Sequence, residues 1–353
     1  MSSIFAWLTG LALWGNANLF PVAETAASPY PQDSIDDIAI WVDPADPARS
    51  LIIGTLKASN QRPVLPTGLL LYDLTGRQLQ FLEGGTPNNV DLRDDVLFRG
   101  QMIPLLAVSH WYSGELEFFT VNQVTRRVER LSDTSLPTGM KKVQGICLYR
   151  SPDTQTLSAF VTTREGVLNQ FRIDTDPAIS IEKTGEYQFR SGTEGCAVDD
   201  ENQALYVSEE ITGLWRFDLT DGLSQSPVLI DRTGWRGHLT DDVEGITLLK
   251  TGAETGYIIV SAQGADEFVV YDRLSHAYVT TFDIEASGKV DGVTGTDGID
   301  LTTRDLGAPF EEGMLVVQDN DNTDADGELI NQSFKLVPLA PLLRILQKAE
   351  QDG

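Results

Sequence analysis

The amino-acid sequence predicts an all-β protein, a six-bladed β-propeller with four-stranded blades and a short C-terminal helix. The first observation is an internal repeat of about fifty residues, close to the length of one propeller blade. The second is that each repeat contains four β-type runs separated by turn residues. The third is that helical periodicity is nearly absent until the end of the chain.

Six copies of a short motif mark the starts of the repeats. The four later copies place glycine after an acidic or polar residue and before alternating apolar residues, and the two earlier copies keep the alternation without the glycine. Successive copies are 54, 53, 50, 50 and 53 residues apart. We predict that each motif opens the innermost strand of a blade. The motif positions are Asp37, Asp91, Gln144, Glu194, Glu244 and Asp297.

The exception to the β pattern is the segment from Pro338 to Lys348. Its leucines recur at helical spacing, which predicts one amphipathic helix that caps the propeller. These leucines are Leu339, Leu342, Leu343 and Leu346.

Composition indicates a folded protein with a strong negative field. Apolar residues make up 41% of the 353 residues, and 52 acidic against 26 basic residues give a net charge of −26. Such a charge repels nucleic acid and anionic membranes, so we expect neither as a partner. The natural counterpart of this field is a metal cation.

The first residues have the outline of a secretory leader. A short apolar run from Ile4 to Leu13 is followed by small and polar residues. We therefore expect a signal peptide at residues 1–27, a single domain at residues 28–353, and a secreted or periplasmic protein. No later stretch reaches the roughly 18 apolar residues of a membrane span.

The two cysteines leave their pairing open. Cys147 and Cys196 lie at nearly matching positions of successive repeats, and an oxidising compartment would permit a disulfide between them. Two buried free thiols fit the sequence equally well.

Propeller geometry predicts that functional side chains converge on one rim. The first strand of a blade begins where the antiparallel second strand ends, so residues at both places share an edge. The strand starts contribute Asp36, Asp37, Asp91, Glu194, Asp242, Glu244, Asp297 and Asp300. The second-strand ends contribute Lys57, Trp111, Arg164, Glu209, Glu210, Gln263 and Asp319. The predicted rim is strongly acidic, with one basic side.

A ring of carboxylates needs cations between its members, because like charges at short range repel one another. Oxygen-only ligands favour calcium, which takes six to eight oxygens, over zinc, which prefers histidine or cysteine. The chain has only three histidines. A cluster of several calcium ions is the expectation.

At this point the motifs can be compared with a known family. In order and content they resemble the β-propeller phytases, calcium-dependent hydrolases of myo-inositol hexakisphosphate (phytate), over Asp33 to Pro338. The motifs are DDIAIWVDP from Asp36, NNVDLR from Asn88, TEGCAVDDE from Thr193, YVSEE from Tyr206, DVEG from Asp242, SAQG from Ser261, TDGIDL from Thr296 and NQSFKLVP from Asn331. The resemblance implies a phosphoric monoester hydrolase of the 3-phytase type that releases inorganic phosphate by metal-activated water.

The resemblance also implies roles for individual residues. The catalytic set would be Glu194, Glu210, Asp242, Glu244 and Gln263. The metal ligands would be Asp36 and these five, together with Asp37, Val90 through its carbonyl, Asp297 and Asp300. The phosphate-binding residues would be Lys57 and Arg164.

The sequence departs from the family pattern at two positions. Trp111 stands where the family typically has arginine, and Gln144 stands where it has tyrosine. Both changes weaken the expected binding of phosphate. Lys141, Lys142, Arg93 or His110 are the candidates to compensate, and of these we expect Arg93 and Lys142 to bind substrate.

Two readings without catalysis remain open on the sequence. One is a secreted calcium-binding propeller that binds a ligand or protein partner, and the other is a structural propeller that calcium stabilises. Calcium-dependent phosphate release separates the enzyme from both. We further expect a monomer.

Overall fold

The computed structural model describes residues 16–31, 33–57, 65–132 and 134–352. Its strands form six antiparallel sheets arranged as blades, with one C-terminal helix, which confirms the predicted fold class. Consecutive innermost strands contact one another, and the last contacts the first, so the blades close into a ring.

The first three blades follow the chain from the inside outwards. In blade 1 the strands are β3 (Ile35–Trp41), β4 (Leu51–Leu56), β5 (Gly68–Tyr72) and β6 (Gln78–Glu83). In blade 2 they are β7 (Pro87–Phe98), β8 (Gln101–His110), β9 (Glu115–Asn122) and β10 (Arg127–Arg130), and the short β11 (Leu136–Pro137) also pairs with β9. In blade 3 they are β12 (Val143–Arg150), β13 (Leu157–Thr163), β14 (Val167–Asp174) and β15 (Ser180–Gln188).

The last three blades repeat this order. In blade 4 the strands are β16 (Thr193–Asp199), β17 (Ala204–Glu209), β18 (Gly213–Asp218) and β19 (Val228–Arg232). In blade 5 they are β20 (Val243–Lys250), β21 (Gly256–Ala262), β22 (Glu267–Asp272) and β23 (Tyr278–Ile284). In blade 6 they are β24 (Ile299–Thr302), β25 (Met314–Asp319) and β26 (Ser333–Pro338).

The N-terminal segment adds a fifth strand to blade 5 and supplies the missing fourth strand of blade 6. The strand β1 (Ala17–Leu19) adds to the outer edge of blade 5, and β2 (Ala23–Glu24) pairs antiparallel with β26 as the fourth strand of blade 6. Most of the predicted leader, residues 1–15, lies outside the described residues and stays a prediction. A leader that ended at residue 27 would remove both strands.

The core consists of apolar layers between neighbouring blades. Each of the six buried clusters joins residues of two adjacent blades, as Ile38 and Leu336 do between blades 1 and 6. Strands covered on both faces lose the polar alternation of an exposed sheet. This explains why all residues of β21 are buried.

The predicted C-terminal helix is present as α1 (Leu339–Asp352) and extends beyond the predicted end at Lys348. Its buried leucines Leu339, Leu342 and Leu346 pack into the layer between blades 5 and 6. Among the described residues no helix has the length and apolar character needed to cross a membrane.

The cysteine question is settled in favour of a disulfide. Cys147 on β12 and Cys196 on β16 are bonded, and their Cα atoms are 6.1 Å apart. Both strands are innermost, so the bond ties blade 3 to blade 4 beside the central channel. The equivalent positions in successive repeats place the two thiols side by side.

Candidate active site

The predicted rim encloses a polar cleft of about 410 Å³. Its walls are the starts of the innermost strands and the ends of the second strands, as the antiparallel geometry requires. The lining includes eight of the predicted site residues: Lys57, Arg164, Glu194, Glu210, Asp242, Glu244, Gln263 and Asp297. Asp33, Thr86, Asn88, Trp111, Gln144, Gly295 and Asn320 complete it.

A bulge at the start of the innermost strand directs the acidic side chains into this cleft. In five of the six blades the pairing of the first two strands shifts register at the motif, as between Thr193 and Cys196. Bulges turn a strand locally and re-aim its side chains. The acid and the glycine of the repeat therefore occupy the point where the strand bends.

The glycine of the motif is required by the close approach of neighbouring blades. A methyl group at Gly195 would lie less than 3.0 Å from the carbonyl oxygen of Glu244 in the next blade. The same holds for Gly145 against Glu194 and for Gly245 against Asp297. Each glycine thus lets the acid of the next blade approach, and this brings the carboxylates together.

Three carboxylates meet in the cleft. One oxygen each of Glu194, Glu210 and Glu244 lies within 4.8 Å of the others. Oε2 of Glu244 is buried and has no hydrogen-bond partner. Burial, together with the neighbouring negative charges, raises the pKa of Glu194 and of Glu244 well above its usual range. A cation would relieve both the burial and the repulsion, so these residues fit a metal ion.

Two amides orient Glu194. Asn88 donates through Nδ2 to Glu194 Oε1 at 3.0 Å and to Asp36 Oδ2 at 2.6 Å. Gln144 donates through Nε2 to the other Glu194 oxygen. The sequence analysis did not assign Asn88 a role, although it is the first residue of the motif NNVDLR. Gln144, recognised only as a departure from the family, holds a carboxylate in place.

Asp242 and Gln263 enter the cleft from the junction of blades 4 and 5. Asp242 has φ 66°, and its amide donates to the carbonyl of Glu210 at 2.9 Å. The backbone amide of Gln263 donates to the carbonyl of Asp242 at 2.9 Å. The side chain of Gln263 donates through Nε2 to Asp297 Oδ1 at 2.5 Å. These bonds connect three blades, so the predicted ligands of different repeats are held as one unit.

Lys57 forms the first part of the basic side. Its Nζ lies 2.6 Å from Asp36, 2.7 Å from Asp33 and 3.6 Å from Asp297. Burial alone would lower the pKa of Lys57, but the surrounding carboxylates raise it well above its usual range. Burial also raises the pKa of Asp297, and the positive charge of Lys57 opposes this rise. Lys57 therefore stays cationic within the acidic cleft.

Arg164 forms the second part of the basic side. It follows β13 and faces Glu210, whose pKa is raised by burial and lowered in part by this guanidinium. Its guanidinium carbon lies 6.0 Å from the ring centroid of Trp111. The predicted pair of cations is thus present in the cleft that holds the carboxylate cluster.

Other predicted ligands lie deeper, along the central channel. Asp37, Val90 and Asp300 line the channel with Asp91. Asp37 accepts a hydrogen bond from the amide of Val90 at 3.1 Å, and Asp300 accepts one from Ile40 at 2.8 Å. Burial raises the pKa of Asp300 to about 7. Placing Asp37, Asp91 and Asp300 at the rim was wrong, because a strand descends about 3.3 Å per residue. Metal binding by the channel residues stays a prediction.

Arg93 does not reach the cleft. It lies on the channel wall, where it pairs with Asp200 and donates to the carbonyl of Leu148. The expectation that it compensates for Trp111 was wrong, because its position five residues after Asn88 places it well below the rim. Lys142 lies just outside the cleft, and its Nζ is 2.8 Å from Glu165.

Two further predicted rim residues serve the framework instead. Glu209 is buried and accepts hydrogen bonds from the amides of Arg190 and Ser191. Asp319 is buried and lies 3.2 Å from Lys335 Nζ. Because side chains alternate along a strand, only the residue after Glu209, Glu210, faces the cleft.

Fold and cleft together define a class: six-bladed propellers whose rim carries a carboxylate cluster suited to a metal ion. The family model described as Phytase matches residues 12–349, and the chain belongs to this family. A 3-phytase of Bacillus subtilis (strain 168) is 36% identical over 313 residues, which cover 86% of this chain and 79% of that protein.

A solved structure also resembles the fold. It is a protein of unknown function from Desulfotomaculum acetoxidans DSM 771, with a TM-score of 0.50 and 12% identity. The match covers 71% of this chain and 72% of that chain. At this identity the likeness concerns the fold alone.

Proposed function

We propose that the protein hydrolyses the phosphomonoesters of phytate and releases inorganic phosphate in a calcium-dependent reaction at the rim cleft. Membership in the Phytase family and the similarity to a 3-phytase support a phosphoric monoester hydrolase. The observation that carries the proposal is the convergence of Glu194, Glu210 and Glu244 in a cleft that the cations Lys57 and Arg164 also line.

The donor set favours calcium. Among the described residues that line the cleft there is no histidine or cysteine, and the potential ligands are carboxylate, amide and carbonyl oxygens. Calcium accepts such oxygens in varied geometry, whereas zinc prefers nitrogen and sulfur. We propose that Glu194, Glu210, Asp242, Glu244 and Gln263 hold the catalytic ions, with Asp36 and Asp297 beside them.

Bound calcium would supply Lewis acidity and a water of lowered pKa for attack on phosphorus. The chain supplies the positions of all other groups. Lys57 and Arg164 bind the phosphate oxygens and stabilise the charge that builds up on them. Asn88 and Gln144 keep the Glu194 carboxylate in one orientation, so that little reorganisation is needed during reaction.

The electrostatics make the dependence on cations strict. The protein carries a net charge of −26, and phytate is a polyanion. Without cations in the cleft, the carboxylates repel the substrate more strongly than Lys57 and Arg164 attract it.

We also propose that the mature protein is a monomer exported to the periplasm or the medium. The disulfide supports an oxidising compartment. The negative charge supports the absence of nucleic acid and membrane partners. Because β1 and β2 belong to the propeller, cleavage of a leader is proposed before Asn16.

The test is phosphate release from phytate by the purified protein in millimolar calcium and then in excess chelator. We expect release in calcium only. Glu244→Gln should reduce kcat/KM at least about 100-fold, because it removes one charge from the ion cluster without changing its shape. Glu129→Gln, on the exposed outer strand of blade 2, is the matched control.

Release that persists in chelator, or full activity of Glu244→Gln, would overturn the calcium assignment. Cleavage of simple phosphomonoesters without cleavage of phytate would overturn the substrate assignment alone.

A further inference from the structure

A second groove opens beside the cleft and shares two residues with it. The groove has a volume of about 710 Å³, and both cavities are bounded by Trp111 and Arg164. Its other walls are the turn after β8 and the segment that leads into β12. Through the shared residues, a ligand anchored in the cleft would extend into the groove.

The walls of the groove are fixed by backbone hydrogen bonds. Thr138 donates through its amide to the carbonyl of Gly114 at 3.0 Å and through its hydroxyl at 2.6 Å. The amide of Trp111 donates to Thr86 at 3.0 Å, and that of Arg164 donates to Lys142 at 3.2 Å. The groove is thus formed before any ligand binds, which reduces the entropy cost of binding.

The chemistry of the groove differs from that of the cleft. Trp111, Met140 and Pro137 give it apolar surface, and its charged lining residues Lys141, Lys142 and Arg164 are all basic. The cleft, by contrast, is acidic. An occupant that is planar and apolar, and that carries its negative charge towards the cleft, complements both cavities at once.

We propose that the groove binds the aromatic group of a phosphomonoester whose phosphate lies in the cleft, with Trp111 as the stacking surface. The ligand class is that of nucleoside monophosphates. The inference rests on the proposed phosphatase activity of the cleft and adds a second substrate class to it. Trp111 is then a residue that determines specificity.

The size and stacking properties of Trp111 support this class. Base stacking on an aromatic side chain strengthens binding substantially and tolerates different bases, and a guanidinium beside the ring adds to it. The groove has room for a planar base, and Trp111, Met140 and Pro137 supply its apolar lining. Inositol has no aromatic face, so this surface adds little to the binding of phytate.

The reaction is an ordinary ester hydrolysis. The oxygen of water forms a bond to phosphorus as the bond between phosphorus and the 5′ oxygen breaks. The departing alkoxide takes a proton, and the products are the nucleoside and inorganic phosphate.

The experiment compares adenosine 5′-monophosphate with ribose 5-phosphate in calcium. Both esters have a primary 5′ alkoxide as leaving group, so the base is the main difference. We expect the wild type to favour the nucleotide about tenfold or more in kcat/KM, mostly through KM. Trp111→Ala should reduce the ratio of the two kcat/KM values to about one.

Two variants complete the design. Trp235→Ala removes a tryptophan that is 87% exposed and lines neither cavity, and it should leave the ratio unchanged. Met140→Asp changes the facing wall and should reduce the ratio even if Trp111→Ala does not fold. Equal kcat/KM values for the two esters in the wild type, or an unchanged ratio in both groove variants, would overturn the inference.

Calorimetry separates this inference from the proposed function. If no ester is hydrolysed, the proposed function fails. Tighter binding of the nucleotide than of ribose 5-phosphate to the calcium-loaded protein, lost in Trp111→Ala, would then still support the groove. Equal binding would overturn it.

Discussion

Lys57 donates a hydrogen bond of 2.6 Å to Asp36, a carboxylate that is almost completely buried. The ammonium lies just after the end of β4 and the carboxylate lies within the bulge of β3, so the pair joins the two strands at the rim. It also places a permanent cation next to the proposed calcium ligands.

We predict that Lys57→Met weakens phosphate binding without weakening calcium binding. Loss of the charge-assisted bond to phosphate should raise KM for phytate about tenfold, since such bonds contribute about 1.5–3 kcal/mol. Calcium affinity, measured by calorimetry, should stay equal or increase, because the ammonium no longer repels the ions. Lys250→Met, which removes an exposed ion pair with Glu201, is the control. An unchanged KM would contradict the role of Lys57.

Gly195→Ala should lower stability and activity together. The new methyl group meets the carbonyl of Glu244 at less than 3.0 Å and forces blades 4 and 5 apart at the cleft. We expect a loss of about 1–3 kcal/mol in the free energy of unfolding. Gly252→Ala is the comparison, because its nearest contact is the hydroxyl end of the Thr255 side chain. Equal stability of the two variants in urea denaturation would contradict the argument.

The disulfide should contribute to stability through the unfolded chain. Its two cysteines are 49 residues apart, and a loop of this size is worth about 2–5 kcal/mol. Cys147→Ser combined with Cys196→Ser should lower the denaturation midpoint, and a reductant should lower that of the wild type to a similar extent. The double variant should not respond to reductant. A wild type that reductant does not affect would argue against this contribution.

A pH effect is expected from Asp319. Burial raises its pKa to about 6, although Lys335 opposes this. The folded state then retains a proton that the unfolded state releases near its ordinary value of 3.8. The stabilisation of the folded state by this retained proton is complete below pH 3.8 and is lost as the pH rises through 6.

At 1.4 kcal/mol per pKa unit, the shift of the Asp319 pKa from 3.8 to about 6 corresponds to about 3 kcal/mol of unfolding free energy. We therefore predict that Asp319→Asn loses less unfolding free energy between pH 4 and pH 7 than the wild type does. Urea denaturation at both pH values measures this difference. Parallel pH profiles would show that Asp319 ionises normally.

The sequence predicts the ring and most of the cleft because both depend on one recurring motif. In the four later repeats an acidic or polar residue precedes glycine at the start of the innermost strand, so position in the repeat identifies Glu194 and Glu244 from the sequence alone. The repeat does not show how deep in the channel a residue lies. Asp91 and Asp300 were also placed at the rim from their positions in the repeat, but the strand carries them below it, and bulges obscure the register from which depth would be read.

Short strands and neutral side chains account for the other features that the sequence did not predict. With three and two residues, β1 and β2 are too short for any periodicity to reveal them. Asn88 and Gln144 act through hydrogen bonds to Glu194, and an amide in a motif carries no signal for that role. The disulfide could be decided only once the neighbouring strands were known to lie side by side.

The pairing of Ala23 with Leu336 has a consequence for biogenesis. During synthesis β2 is made early, but its partner strand β26 is translated only after the strands of the other five blades. Five sheets can assemble before β26 is made, whereas the sixth must wait for it. Ring closure therefore depends on a late strand, and a product truncated before β26 cannot complete blade 6.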